Sequence, residues 1–166
     1  QWDFDNGDLA ATVGSPLQYL TPTAQAGTQF GLTTDFGLPD VNGQIAAVMR
    51  VPGDLDRSIG YVMPHGISPN GGGQLVNQYT LIFDIYVEPS GPGAASLLQV
   101  DSESNALGND GDLFWQGNNF GQGGNGYNGT GQFTAGAWHR VVAAFDMAAN
   151  PPVVTKYVDG IKQDDW

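Results

Sequence analysis

The sequence predicts an all-β domain on two observations. Two long runs alternate with the two-residue period of a strand: "YTLIFDIYVE" at 79–88 and "WHRVVAAFD" at 138–146. The 25 glycines and 10 prolines are scattered through the chain and cut the rest into short segments. Almost no helix is expected.

In the first run Tyr79, Leu81, Phe83, Ile85 and Val87 share one face, and Thr80, Ile82, Asp84 and Tyr86 the other. In the second, His139, Val141, Ala143 and Phe145 alternate with Trp138, Arg140, Val142 and Ala144. Both runs are apolar on nearly both faces, so they are expected to be central strands of packed sheets, with Trp138 structural. Weaker strand candidates lie at 1–4, 17–20, 44–50, 59–62, 95–101, 112–114 and 154–158. The clusters "GSP", "PDVNG", "SPNGGG", "EPSGPG", "GNDGD" and "ANPP" supply turns between them. Asp159-Gly160, flanked by two strand-like runs, is a strong hairpin signal. Many short strands at this spacing argue for an antiparallel β-sandwich or jelly roll. The polar, Gly-rich segment 117–132 is expected to be a long surface loop around a short strand near Tyr127.

At 166 residues the chain is read as one domain, 1–166, large enough for a core. Charged residues make up only 13%, against about 25% in ordinary soluble domains. Asn, Gln, Ser, Thr and Gly must cover the surface, which points to an extracellular, secreted or periplasmic setting. The net charge of −12, from 17 acidic and 5 basic side chains, repels nucleic acid. It favours a hard cation, calcium above all. Without Cys there is no disulfide framework and no thiolate metal site. No apolar run reaches the length of about 20 residues that a membrane span needs.

The order of "WDFDNGDLAATVG", "YTLIFDIYV", "SLLQVD", "NDGDLF", "WHRVVAAFD" and "KYVDG" resembles that of laminin-G-like domains of the concanavalin A-like lectin/glucanase superfamily. The resemblance covers nearly the whole chain. It implies a concanavalin A-like jelly-roll sandwich of two antiparallel sheets. It also implies strands after the Asp159-Gly160 hairpin, so the chain is expected to be a fragment lacking its C-terminal strands. A second chain or fragment would then complete the sandwich and cover the open sheet edges. Members of the superfamily bind glycans or proteins, often with calcium, or cleave polysaccharides.

The residues narrow these options. The retaining glycanases carry E-x-D-x-x-E on one strand. Here only Asp84 and Glu88 match, and Ile82 stands where the first carboxylate would be. Four residues along a strand span about 13 Å, beyond the roughly 5–9.5 Å of a glycosidase pair. A polysaccharide lyase needs a His or Tyr base with cations around a uronate. His139 falls on the core-facing alternation and His65 in a Gly/Pro loop.

A metal reading is stronger. Asp101, Asn109, Asp110 and Asp112, with Asn105 between them, fall within twelve residues, an oxygen-rich loop suited to calcium. Asx-turn chemistry explains the same residues without an ion. The N-terminal "DFDNGD" is a poorer cation loop, because its glycine is misplaced for an EF-hand. For glycan binding, Trp115, Asn118, Asn119, Tyr127 and Asn128 gather rings and amides in the Gly-rich segment, where sugars could stack and hydrogen-bond. The expected function is a non-catalytic extracellular carbohydrate-binding or adhesion module taking a polysaccharide or glycan. The alternatives are a structural or targeting accessory domain cleaved from a larger secreted hydrolase, and a polysaccharide hydrolase or lyase.

Overall fold

The computed structural model describes residues 1–52, 59–91, 93–99, 113–121 and 133–163. Strands dominate, all the sheets are antiparallel, and the described residues contain one six-residue helix. The all-β expectation holds. The chain divides into two compact units, Gln1–Ile67 and Ser68–Trp166.

In the first unit, β1 (Gln18–Tyr19) pairs with β4 (Tyr61–Val62), and β2 (Gln29–Leu32) pairs with β3 (Ala47–Arg50). The helix α1 spans Pro22–Gly27, which composition alone did not signal. Its start is locally encoded. Thr21 is the N-cap, its hydroxyl accepting from the Ala24 amide at 3.2 Å, and Pro22 follows with a φ already suited to a helix. Ala24 is fully buried. Thr28 closes the helix by donating its hydroxyl to the Ala24 carbonyl, and that hydroxyl also meets the Tyr61 phenol at 2.6 Å. Between β2 and β3, Asn42 and Gly43 both adopt positive φ, the type I′ geometry that "PDVNG" suggests. Residues 1–4 form no strand. Instead Gln1 donates its amide to Asp3, and Trp2 sends its indole N–H to the Ser15 carbonyl. Asp8 accepts from the Ala10 amide, so two of the "DFDNGD" carboxylates have local partners.

Among its described residues the second unit holds two sheets. One orders β11 (Ile161–Lys162), β10 (Val153–Val158), β9 (Trp138–Asp146) and β5 (Gln78–Tyr86). The other orders β6 (Ala94–Leu98), β7 (Leu113–Gln116) and β8 (Asn119–Gly121). Their facing side chains form one core. Val141, Ala143, Phe145, Val154 and Val158 come from the first sheet; Leu113, Trp115 and Phe120 come from the second, and Phe133 joins them. The unit is thus sandwich-like. Tyr79, Leu81, Phe83 and Ile85 add to the core from β5, and Tyr79 stacks on Phe145 at 4.5 Å. Fully burying a Val, Leu or Phe side chain such as those at the centre contributes about 1.5–3 kcal/mol.

Two expectations change here. The 117–132 segment is not all surface loop: Phe120, in β8, is 1% exposed and belongs to the core. A single aromatic among polar neighbours gave too little pattern to show this. The strand 79–88 is also not central. Among the described residues β5 is a sheet edge, and Ile82 on its outer face is 63% exposed. Only the inner face of β9 and β5 meets the core.

Local polar links set the registers. Asn70 accepts from the amides of Asn77 and Gln78 and donates to the Gln78 carbonyl, fixing the entry to β5. Asp146 accepts from Ala148 and Ala149 at the start of the β9–β10 turn. Asp159 and Gly160 have φ of +50° and +79°, a type I′ hairpin as the sequence predicts. Lys156 is fully buried on the inner face of β10, donating to the Phe120 carbonyl at 3.1 Å with its ammonium over the Phe120 ring. No helix among the described residues is long and apolar enough to cross a membrane.

Candidate functional site

Alternation along β5, β9 and β10 sends every second side chain away from the core. The pairing register then decides which of these meet. Tyr86 lies opposite Trp138, Asp84 opposite Arg140, Ile82 opposite Val142, and Thr80 opposite Ala144. The next strand places Tyr157 beside Val142 and Thr155 beside Ala144. Lys162 of β11 stands opposite Tyr157, at the far edge. The rows from Tyr86 to Gln78 span about 27 Å along the strands, and four strands span about 14 Å across them. These positions make a broad sheet face among the described residues.

Its chemistry is mixed in a specific way. The Tyr86 and Trp138 rings sit 5.6 Å apart at 53°, both half-buried. In the next row the Arg140 guanidinium grips Asp84 through two bonds, Nε to Oδ1 at 2.7 Å and Nη2 to Oδ2 at 2.6 Å. The Arg140 and Asp84 side chains are 58% and 38% exposed. Its hydrogen bonds to Asp84, and then the Asp84 charge, hold the Arg140 pKa above its usual value. At the opposite end Gln78 donates to Asp146 at 3.1 Å. Aromatic rings bordered by a planar ion pair, hydroxyls and an amide can take a ligand that has apolar faces and many hydroxyls.

A second polar cluster lies at the inner face. His139 is 8% exposed; its Nδ1 meets Asp159 Oδ2 at 2.7 Å and its Nε2 meets the Thr134 amide at 3.1 Å and hydroxyl at 3.2 Å. The order Thr–His–Asp resembles a nucleophile relay. However, Nε2 lies 3.1 Å from both the Thr134 amide and the Thr134 carbonyl, so the Thr134 backbone holds it and it is not reserved for the hydroxyl. Nδ1–H donates to Asp159. His139 ties the strand start to the hairpin turn, the structural role its alternation suggests. His65 accepts from the Ile67 amide in its loop.

The predicted sugar-binding residues separate. Trp115 is 5% exposed and packs edge-on to Phe133 at 6.0 Å, so its ring belongs to the core. Its Nε1 has no hydrogen-bond partner among the described residues. Asn118 is exposed in the β7–β8 turn and its carbonyl accepts from the Phe133 amide, while Asn119 opens β8 opposite Gln116. Tyr127 and Asn128 lie outside the described residues, as do Asp101, Asn109, Asp110 and Asp112. No group of three His, Asp or Glu that could hold a metal occurs among the described residues.

Sequence reasoning missed the outer face because Trp138 at the head of a strong strand reads as core. The signal was present in the alternation. Asp84 and Arg140 fall on the outward positions of two otherwise apolar strands, and a carboxylate and a guanidinium there require water or each other. Family models, curated proteins and solved structures were compared with the chain and none matches.

Proposed function

We propose that this chain is a non-catalytic extracellular carbohydrate-binding or adhesion module, and that it takes a polysaccharide on the outer face of the four-stranded sheet. The observation that carries the reading is the Tyr86–Trp138 ring pair directly beside the Asp84–Arg140 ion pair on one exposed sheet surface. Rings supply stacking for the C–H faces of a sugar, and fixed polar groups orient its hydroxyls. The two packed sheets of the second unit are read as part of a concanavalin A-like jelly roll, in line with the laminin-G-like resemblance. Calcium belongs to the proposal through the acid-rich stretch that includes Asp101, Asn109, Asp110 and Asp112, with Asn118, Asn119, Tyr127 and Asn128 nearby in sequence.

A glycan array probed with and without calcium tests the reading. One or more polysaccharides should be retained, and Trp138→Ala should weaken that retention by about 10- to 100-fold, the range of a hot-spot aromatic. Equal retention by Trp138→Ala would move the site elsewhere. No retention of any glycan would favour the structural or targeting accessory domain instead.

A further inference from the structure

We infer that Asp84 is a specificity residue: by gripping the Nε/Nη2 edge of Arg140 and cancelling its charge, it directs the outer face to uncharged polysaccharides and away from uronate polymers. The inference rests on the polysaccharide reading given above. Its starting point is a geometry that stability alone does not explain. An ion pair this exposed contributes little to folding. Yet it is bidentate, and it stands one row from the Tyr86–Trp138 ring pair on the same face.

A guanidinium beside a ring platform has the fork shape that carboxylates prefer. Left unpaired, Arg140 would be the natural ligand for the carboxylate of a uronic acid. Asp84 is already there as a built-in carboxylate. It neutralises the charge and fills the Nε/Nη2 edge, one of the two edges that can grip an incoming acid. An external carboxylate must either displace the tethered one from the Nε/Nη2 edge or take the remaining Nη1/Nη2 edge beside it, so it meets competition or repulsion. The rest of the face offers little compensation. Asp146 adds a second negative charge, Lys162 stands at the far edge with its own interaction, and the whole chain carries −12. A neutral chain meets none of these costs, and it keeps the ring platform and the outward oxygens of Asp84 as acceptors for its hydroxyls.

Affinity electrophoresis through gels containing hydroxyethyl cellulose, xylan or polygalacturonate tests this at low and high salt. The wild-type protein should be retarded by a neutral polymer and not by polygalacturonate. Asp84→Asn and Asp84→Ala should raise polygalacturonate affinity relative to the neutral polymer by about tenfold, the scale of one charged hydrogen-bonding contact. High salt should erase that gain, and so should the double variant Asp84→Ala/Arg140→Gln. Wild-type retention by polygalacturonate equal to that by the neutral polymers would overturn the inference. So would Asp84 variants that fold, by circular dichroism, but gain nothing. Failure of the underlying reading looks different: no polymer retards the wild type, or Trp138→Ala migrates like it in every gel, and the inference then falls as well.

Discussion

Replacing Asp159 should destabilise the second unit, and the structure sets the size of the loss. The residue does three things at once. Its Oδ2 holds the His139 Nδ1 at 2.7 Å, its Oδ1 accepts from the Arg140 amide at 2.9 Å, and its backbone sits at φ +50° in the type I′ turn. Because His139 is 8% exposed, removing the carboxylate strands a buried N–H, which costs about 1–3 kcal/mol. Alanine adds roughly 1–2 kcal/mol for a side chain forced into the left-handed region. Asp159→Ala should therefore lose about 2–5 kcal/mol, and Asp159→Gly, free of the backbone strain, only the first part, about 1–3 kcal/mol. Urea unfolding followed by tryptophan fluorescence reads both numbers. In thermal melts the shift should be about 2–4 °C per kcal/mol for a chain of this size. If Asp159→Gly matches the wild type within about 0.5 kcal/mol, the His139–Asp159 link contributes nothing and the reasoning fails.

Phe120→Ala should cost about 3–5 kcal/mol in the same assay, because a ring that is 1% exposed leaves a cavity between the two sheets; a surface loop residue would cost under about 0.5 kcal/mol. The third prediction concerns alkaline pH. Burial raises the Tyr61 phenol above its usual value, with the Thr28 hydrogen bond acting the other way. The folded state thus holds this proton more tightly than the unfolded chain. Its contribution is complete below the unfolded value of about 10 and is lost as pH rises through the raised folded value. The urea midpoint of the wild type, relative to Tyr61→Phe, should fall above about pH 10; parallel curves would show that Tyr61 titrates as if exposed. Chelation with EGTA should lower the melting temperature if calcium binds the native state, and Asp112→Ala should mimic it. An unchanged melt would remove calcium from the account.

Much of the fold was legible because its signals are local. The Asn42-Gly43 and Asp159-Gly160 turns follow from residues that tolerate positive φ, and the strands at 79–86 and 138–146 from strict alternation. The helix at Pro22–Gly27 escaped notice because six residues are too few to show a helical period; Thr21 and Pro22 were its only markers. Burial was harder to read than strand identity. Alternation says which residues share a face, but not what covers that face. Trp115 and Trp138 therefore exchanged roles: the one in a polar neighbourhood is core, and the one heading an apolar strand stands on the outer face. Lys156 shows the same limit, since nothing local announces that a lysine between Thr155 and Tyr157 will be fully buried against Phe120, 36 residues away.

The central claim is that the outer face of the four-stranded sheet recognises a glycan. Amide and indole NMR shifts, followed while a neutral oligosaccharide is titrated into the ¹⁵N-labelled chain, test it most directly. The account predicts that the Trp138 indole and the amides of Tyr86, Asp84, Arg140 and Val142 shift together and saturate with one affinity. Shifts confined to other surfaces, with the Trp138 indole unmoved at saturation, would contradict it.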